Sequence, residues 1–224
     1  MADAELVADI LTGCRIADRL GLVQGFGHVS ARRDDGTIYL TARKALRLVQ
    51  AEDLVILDLE GRSLAGGTAP PLEWPAHAEI YRARPDVGAI CRTHSPWVRP
   101  FAAALRAIRV VHGFGACLGP EVPVFNHNDL VHTPAAGAEM ARFLGQRVAV
   151  LFRGNGAIVT GASVRHAVAL AAFLEESART LYLASLWGEP PYYSDEEIER
   201  RWQSDAQHEP LRAWEYYASL VDGA

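Results

Sequence analysis

The sequence is poor in the features that mark secreted, membrane-spanning or disulfide-stabilised proteins. Its 224 residues include only three cysteines, Cys14, Cys91 and Cys117, an odd number without paired spacing. Such usage is typical of reduced thiols rather than of a disulfide framework. No apolar run approaches the roughly 18 residues that a membrane-spanning helix needs. The N-terminal stretch is acidic where a secretory signal would be basic, so we expect a cytoplasmic protein.

The chain also lacks the basic excess of a nucleic-acid-binding protein. Lysine and arginine number 22 against 27 aspartates and glutamates, which leaves a formal net charge of −5. Because a phosphate backbone is held by a basic face, we expect neither nucleic acid nor a membrane surface as a partner. Low-complexity segments and internal repeats are missing as well. With 50% hydrophobic residues, we expect one domain over residues 1–224, with residues 190–224 as a C-terminal helical extension.

Hydrophobic periodicity and turn residues divide the chain into strands and helices. One face of a predicted helix over residues 3–20 carries Leu6, Ile10, Cys14 and Ala17. An Asp-Gly pair predicts a hairpin between residues 29–32 and 37–41. A second hairpin is predicted from a strand at residues 55–59, a turn at 60–61 and a short strand just after the turn. Further strands are predicted at residues 87–93, 122–125, 148–152 and 157–160. Further helices are predicted at residues 73–83, 96–107, 134–144 and 164–187. This order favours a mixed sheet with helices on both faces.

Four short segments carry side chains suited to catalysis, and two of them lie beside glycines or prolines. His28 lies among glycines in residues 25–32, where the backbone can approach a ligand closely. Glu73 follows a Pro-Pro loop at a predicted helix start, a place for a general acid or base, and His77 shares its helix face. Each feature alone also fits a structural role, as a turn or as a carboxylate that favours the helix dipole.

The other two segments lie at the ends of predicted strands. Arg92 and His94 alternate along one strand and should share a face, where they could hold an anion or a metal-bound oxygen. Asn155 lies in an Arg-Gly-Asn-Gly break between two apolar strands, which is also the pattern of an ordinary β-turn. The other histidines lack metal-ligand spacing to each other, and the chain has no P-loop, nucleophile elbow or dinucleotide-binding fingerprint.

Together, the order and spacing of these segments are more specific than any one of them. The Gly-x-Gly-His-Val-Ser-Ala-Arg run around His28, Glu73 after its Pro-rich loop, the Thr-His-Ser around His94 and the Arg-Gly-Asn-Gly around Asn155 resemble the class II aldolase/adducin-head superfamily over about residues 5–190. The resemblance implies a three-layer α/β/α class II aldolase-like fold with a mainly antiparallel central sheet. It also implies a homotetramer whose active sites lie between subunits.

The same resemblance implies a metal site that this sequence does not keep. Aldolases of the family hold a divalent metal, usually zinc, with two histidines of a His-x-His and a third from an Asn-His-Gly, beside a catalytic Glu. Glu73 matches that Glu and His94 the second histidine, but Arg92 and Asn155 replace the other two ligands. A catalytic zinc ion is usually held by three nitrogen or sulfur ligands. Arginine stays protonated, so its positive charge would repel the metal ion. We therefore predict no cofactor; the alternative is a divalent metal with His94 as one ligand.

The substrate-binding segments depart from the sugar-phosphate aldolases as well. Those enzymes carry small hydroxyl residues and glycines in two loops, which here read Thr-Ala-Arg-Lys at 41–44 and Ala-Pro-Pro-Leu at 69–72. We therefore expect a small, non-phosphorylated carboxylate substrate, with Arg43 available to meet an anion. Residues 71–81 and an aromatic group near 213–217 look more like the branch that decarboxylates hydroxylated aromatic or pyridine dicarboxylates.

These residues predict a lyase of the aldolase or decarboxylase type that forms an enolate intermediate. Glu73 is the general acid/base, Arg92 binds a carboxylate or enolate oxygen in place of the metal, and His94 donates to the oxyanion or shuttles a proton. Three further residues are predicted to line the substrate pocket: His28, Asn155 and Arg43. Two alternatives stay open: a metal-dependent decarboxylase or non-haem iron oxygenase with a rebuilt site, and a non-catalytic adducin-head-like scaffold.

Overall fold

Helices cover both faces of a central sheet in the computed structural model, which describes residues 3–66, 69–206 and 208–221. The helices are α1 (Asp3–Arg19), α2 (Trp74–Ala83), α3 (Val98–Ala103), α4 (Pro134–Leu144), α5 (Val164–Ser185), α6 (Asp195–Arg201) and α7 (Glu209–Ser219). The strands are β1 (His28–Arg32), β2 (Ile38–Thr41), β3 (Leu54–Leu57), β4 (Ser63–Ala65), β5 (Ala89–Thr93), β6 (Ile108–Arg109), β7 (Glu121–Val122), β8 (Val124–Phe125), β9 (Ala149–Phe152) and β10 (Ala157–Gly161). None of the described helices is both long enough and apolar enough to cross a membrane.

The central sheet is mixed, which corrects the mainly antiparallel sheet that the resemblance implied. Its strand order is β4-β3-β2-β1-β5-β10-β9-β8, and the predicted hairpins β1–β2 and β3–β4 are confirmed. Strands β9 and β10, which were predicted on either side of a turn, also pair antiparallel. At one edge, Val124 of β8 pairs in parallel with Leu151 of β9. The chain passes from β8 through α4 before it enters β9, and a helical crossover of this kind brings the second strand back parallel to the first.

Alternation along β5 sends successive side chains into two separate cores. All five residues of β5 are buried. Cys91 packs into the core beneath α1 and α5, whereas Ile90 packs into the core beneath α2 and α4. This period of two is what a strand covered on both faces requires. The predicted layering, with helices on both faces, is confirmed, and β5 lies in the middle of the sheet between β1 and β10.

Two elements differ from the sequence-based predictions for local reasons. The helix predicted over residues 96–107 is only α3, because the chain turns at Leu105, which has a left-handed φ of +54°. The strand predicted over residues 122–125 is divided at Pro123, which has no N–H to donate to a ladder. Its halves, β7 and β8, consequently pair in different sheets, and the Pro123 carbonyl accepts from the Leu151 N–H. The loop predicted over residues 66–71 lies partly outside the described residues.

The C-terminal helical extension packs on the same core as the rest of the chain. Trp214 of α7 is buried in the cluster that also contains residues of α1 and α5. Ser194 caps α6 by accepting from the Glu197 N–H, while the Glu197 carboxylate accepts from the Ser194 N–H. Such a reciprocal cap satisfies two N–H groups that a helix start would otherwise leave unpaired. Residues 222–224 lie outside the part of the chain that the structure describes.

Candidate active site

A cavity of about 570 Å³ opens at the end of β5 where His94 follows the strand. Its volume falls within the usual range of small-molecule sites. Six separate parts of the chain contribute to its walls: the loop before β1, the loop after β2, the start of α2, the end of β5, the segment between β8 and α4, and the turn between β9 and β10. Five of the six predicted site residues line this cavity: His28, Arg43, Glu73, His94 and Asn155.

Glu73 is placed at the cavity by the way α2 begins. The Trp74 N–H donates to the Pro71 carbonyl and the Ala76 N–H donates to the Glu73 carbonyl, so the Pro-rich loop turns directly into the helix. Glu73 is the residue before the first turn, and its side chain caps no backbone N–H. It is 7% exposed. The carboxylate therefore does not cap the helix and can contact a bound molecule.

Arg92 lies beneath Glu73 and does not line the cavity, which corrects the prediction that it touches substrate. It is 1% exposed, and its Nη1 donates to the carbonyl oxygens of Thr93 at 2.6 Å and Ala157 at 3.3 Å. Its Nη2 is 3.5 Å from Glu73 Oε1, and its guanidinium lies over the Phe152 ring at 4.6 Å. Strand alternation sends Arg92 under α2, where the helix covers it. The guanidinium therefore acts on the cavity through Glu73.

His94 is fixed at the cavity floor by its neighbours along the backbone. Its N–H donates to the Leu22 carbonyl, and Phe26 meets its ring edge-on with the ring centroids 6.2 Å apart. Burial, with a further contribution from the Arg92 charge, lowers the His94 pKa to about 4. His94 is therefore neutral at physiological pH, with one ring nitrogen available as a donor and the other as an acceptor.

The glycine before His28 and the glycine after Asn155 bring their loops close to β5. Gly27 has a φ of +144°, and a Cβ there would lie 2.9 Å from the Arg92 carbonyl oxygen. Gly156 has a φ of +84°, and a Cβ there would lie 2.1 Å from the Thr93 carbonyl oxygen. Only glycine permits such an approach in this conformation. These close approaches place His28 and Asn155 at the same end of β5 as His94.

Arg43 and Lys44 sit side by side at the cavity but are in different electrostatic situations. Lys44 Nζ is 2.7 Å from Asp53 Oδ2, so its charge is already paired. Arg43 is exposed, and within the described residues its guanidinium forms neither a hydrogen bond nor an ion pair. Its backbone N–H donates to the Ala69 carbonyl, which ties the loop to the segment before Glu73. Arg43 is thus the residue of this loop with a cation to offer a ligand.

Below the cavity lies a buried polar group that sequence reasoning did not assemble. His77, one turn after Glu73 on α2, is fully buried, and its Nδ1 is 2.8 Å from Ser30 Oγ. Ser30 Oγ is also 2.8 Å from Tyr81 Oη. The sequence alone shows His77 only as a neighbour of Glu73 on its helix face. The available signal was spacing, because Ser30 shares a strand face with His28 and Tyr81 shares a helix face with His77.

The donor set does not fit the zinc ion that the resemblance implied. His94 is the one imidazole left from the expected three, and Arg92 brings a cation to the position of the first. Asn155 offers an amide at the third. Within the described ranges, no group of three or more His, Cys, Asp or Glu residues could hold a metal ion. A tetrahedral zinc site with three protein nitrogen or sulfur ligands is therefore not formed by these residues.

Comparison with known proteins places the chain in a family. The profile of the class II aldolase and adducin N-terminal domain matches residues 8–182. The chain is 34% identical over 202 residues to the 3,4-dihydroxyphthalate decarboxylase of Terrabacter sp. (strain DBF63), a match that covers 84% of this chain and 83% of the relative. It is 30% identical over 206 residues to the 5-methylthioribulose-1-phosphate/5-deoxyribulose-1-phosphate aldolase of Rhodospirillum rubrum, covering 85% and 86%.

A solved structure supports the same assignment at the level of the fold. The L-fuculose-1-phosphate aldolase of Thermus thermophilus superposes with a TM-score of 0.74 and 27% identity, covering 85% of this chain and all of that one (100%). The two curated relatives, a decarboxylase and an aldolase, are both lyases. The chain therefore belongs to the class II aldolase and adducin N-terminal domain family and, with these relatives, to the lyases of the class II aldolase superfamily.

Proposed function

We propose that this lyase decarboxylates a small, hydroxylated aromatic carboxylate and does so without the zinc ion of the family's aldolases. The observation that carries the proposal is the composition of the cavity wall around the Glu73 carboxylate. Glu73 lines a space whose wall also includes exposed apolar side chains and the unpaired Arg43 cation. An aromatic acid presents this combination of a flat apolar body and a negative edge.

The apolar part of the wall comes from three side chains that are exposed despite their size. Phe26 is 75% exposed, Leu72 53% and Leu130 43%, and all three line the cavity. An aromatic ring that covered them would remove apolar surface from water, at about 25 cal/mol per Å². A sugar phosphate would gain little from these residues. The names of the decarboxylase relatives, which act on a dihydroxyphthalate, point the same way.

In this proposal the bond that breaks joins the ring carbon to the carboxylate carbon. Glu73 first takes the proton of the neighbouring hydroxyl group, and the phenolate that forms is an enolate-type oxyanion. His94 and His28 lie at the cavity with ring nitrogens that can donate to this oxygen. Glu73 then gives this proton to the ring carbon, carbon dioxide leaves, and the electron pair of the broken bond restores the aromatic ring as a phenolate that takes a proton from water. Arg43 binds a second carboxylate of the substrate.

Arg92 has an indirect part in this mechanism. Its guanidinium is held by two backbone carbonyls and by Glu73, and its Nε, unpaired among the described residues, is buried away from the cavity, so it does not contact a substrate directly. The contact between the two buried side chains fixes the orientation of the Glu73 carboxylate. Arg92 therefore positions Glu73 and supplies positive potential below the place where the oxyanion forms. In the aldolase pattern a metal ligand stands at this position.

The test is a substrate screen on the purified protein with its metal content measured beforehand. Hydroxylated benzoates and phthalates, including 3,4-dihydroxyphthalate, are compared with L-fuculose 1-phosphate, and released carbon dioxide and aldehyde are assayed separately. The proposal expects carbon dioxide from an aromatic acid, at a rate that a chelator does not change. Stoichiometric bound metal whose removal abolishes turnover would favour the metal-dependent alternative. Aldehyde from the sugar phosphate would replace decarboxylation with aldol cleavage. The oligomeric mass of the same sample tests the proposed homotetramer.

A further inference from the structure

A chain of hydrogen bonds runs from α2 to β1 underneath the cavity. Tyr81 Oη and Ser30 Oγ are 2.8 Å apart, and Ser30 Oγ and His77 Nδ1 are also 2.8 Å apart. All three residues are essentially inaccessible, with exposures of 1% for Tyr81 and 0% for Ser30 and His77. None of these three side chains lines the cavity. They can influence a reaction there only through a neighbour.

The direction of the protons along this chain follows from the number of donors and acceptors. Across the described residues, the Tyr81 hydroxyl has Ser30 as its one hydrogen-bond partner. A buried donor left unsatisfied is destabilising, so the phenol donates to Ser30 Oγ. Ser30 has a single proton, and its other partner is His77 Nδ1. Ser30 therefore donates to Nδ1, which must be an acceptor.

The tautomer of His77 is thereby determined. Burial, with the Arg92 charge as a second cause, lowers the His77 pKa to about 3, so the ring is neutral at physiological pH. A neutral imidazole that accepts at Nδ1 carries its proton on Nε2. That Nε2 atom is buried and has no hydrogen-bond partner among the described groups. His77 thus has a proton to donate on the side of the ring away from Ser30.

His28, next to His77, also has a buried ring nitrogen without a hydrogen-bond partner among the described residues. Its ring lies beside that of His77, with centroids 5.7 Å apart and planes inclined by 53°. His28 Nδ1 is buried and likewise lacks a hydrogen-bond partner within the part of the chain that is described, while the ring itself lines the cavity. Burial first, and then the charges of His77, Arg92 and His94, lower the His28 pKa well below its ordinary value. A neutral ring has one proton, and the tautomer that leaves Nδ1 free to accept carries this proton on Nε2.

We propose that Tyr81, Ser30 and His77 are positioning residues that hold His28 as the Nε2–H tautomer, so that His28 presents a hydrogen-bond donor to the substrate. The polarity runs from the phenol through the serine to His77, and we assign the unpaired His77 Nε2–H as the donor to the unpaired His28 Nδ1 of the adjacent ring, a contact that is not closed in this structure. The cavity then selects an oxygen acceptor, such as a phenolate or carboxylate, at His28. Only this last step rests on the proposed function, because the tautomers are properties of the free protein.

The experiment is ¹⁵N NMR of the ring nitrogens in the intact protein with labelled histidine, assigned with His28→Gln and His77→Gln. The two-bond correlations distinguish Nε2–H, Nδ1–H and doubly protonated rings. Wild-type protein is expected to show the Nε2–H tautomer at both His28 and His77. A proton on Nδ1 of His77 in the wild-type protein would overturn the proposal, and this reading needs no substituted serine or tyrosine to fold.

Substitution of the serine tests whether the tautomers are coupled. Ser30→Ala is expected to give mixed tautomers at both His28 and His77, and Ser30→Thr, which keeps the hydroxyl, to restore the wild-type pattern. Ser177→Ala is the matched control, because Ser177 is also a buried serine bonded to a histidine, His112, at 2.9 Å. That control should leave both tautomers unchanged. Unchanged tautomers in folded Ser30→Ala protein would also overturn the proposal.

Turnover supplies a second readout and separates the two proposals. With an active aromatic acid, Ser30→Ala should lower kcat about tenfold, the value of one neutral hydrogen bond, with Ser30→Thr recovering most of it. The Ser177→Ala variant should keep wild-type kcat. If wild-type protein turns over no aromatic acid, the proposed function fails, while the tautomer pattern is decided by the NMR experiment alone.

Discussion

The Arg92 guanidinium lies directly below the Glu73 carboxylate, with Nη2 3.5 Å from Oε1, and both groups are almost fully buried. Glu73 comes from the start of α2, whereas Arg92 comes from β5 in the middle of the sheet. Arg92 Nη1 donates to the carbonyls of Thr93 and Ala157. The orientation of the acid/base is therefore tied to the pairing of β5 with β10.

Removal of Arg92 is expected to cost stability, because it leaves the Glu73 carboxylate buried without its partner. Losing one member of a buried pair typically costs about 3–5 kcal/mol. Arg92→Met should accordingly lower the free energy of unfolding by roughly 3 kcal/mol in urea titrations at neutral pH. Arg62→Met is the control, since the Arg62–Asp58 pair has an arginine side chain that is 75% exposed. Equal losses in the two variants would show that the Arg92–Glu73 contact contributes little to stability.

Glu73→Gln should abolish most of the turnover while the protein stays folded. The amide keeps the size of the side chain but cannot transfer a proton, and general acid/base catalysis contributes about 10²–10⁴-fold. Steady-state kinetics with the substrate found in the screen, alongside circular dichroism, measure both properties. Glu79→Gln is the control on the same helix, since Glu79 pairs with Arg82 away from the cavity. A loss of less than tenfold in Glu73→Gln would remove the acid/base role.

The sequence predicted most helices and strands and the segments that form the candidate site. It did not predict how deeply each side chain is buried. Glu73, His94 and Asn155 were predicted as site residues because each ends or begins a recognisable element. Alternation predicted that Arg92 would share a face with His94, but not that α2 would bury its guanidinium. Depth depends on which helix covers a strand, and the pattern of a single strand does not contain that information.

The hydrogen-bonded chain below the site was missed for a related reason. Ser30 and Tyr81 are 51 positions apart and meet because β1 lies next to β5 under α2. Each looks like an ordinary core residue in its own segment, since a serine in a strand and a tyrosine on a helix need no partner to be expected there. The contact arises from tertiary packing, and neither local periodicity nor turn chemistry predicts it.

Gly156→Ala should disrupt both the fold and the site, whereas Gly154→Ala should have a much smaller effect. Both glycines have positive φ values, +84° and +67°. An added Cβ at Gly156 would lie 2.1 Å from the Thr93 carbonyl oxygen, but at Gly154 it would meet nothing within 4 Å. The Gly154 variant then carries only the backbone penalty of about 1–2 kcal/mol. Thermal unfolding and kcat are the measurements, and similar losses in both variants would contradict the steric argument.

Arg43→Met is expected to raise KM about tenfold or more with little change in kcat. Arg43 has its charge free for a ligand, and a hydrogen bond to a charged group is worth roughly 1.5–3 kcal/mol. Lys44→Met is the matched variant, because the Lys44 charge is already paired with Asp53. It should change stability slightly and leave KM near the wild-type value. A larger rise in KM for Lys44→Met than for Arg43→Met would show that Lys44, and not Arg43, is the cation that recognises the substrate.

Three neutral histidines around the site should make the protein sensitive to mild acid. Burial lowers the pKa of His94 to about 4 and of His77 to about 3, and it lowers the pKa of His28 as well. The ordinary value in an unfolded chain is about 6.5. As the pH falls below this value, the unfolded chain binds protons that the folded protein does not, so stability decreases until the pH reaches the folded-state pKa values.

Between pH about 6.5 and pH about 4.5 the ion-paired carboxylates stay ionised in the folded protein, and Glu175, whose pKa burial raises, contributes equally to wild-type protein and to the histidine variants. Ion-paired aspartates such as Asp53 have folded-state pKa values below 3.8, so they lose their contribution only at lower pH. In urea titrations across this window, His77→Gln should reduce the slope of stability against pH by up to about 1.4 kcal/mol per pH unit, the value of one proton. The exposed His132, changed to Gln, should leave the slope unchanged. An unaltered slope in His77→Gln would mean that His77 binds its proton equally in the folded and unfolded chains, and the donor–acceptor order assigned to Ser30 and His77 would then be wrong.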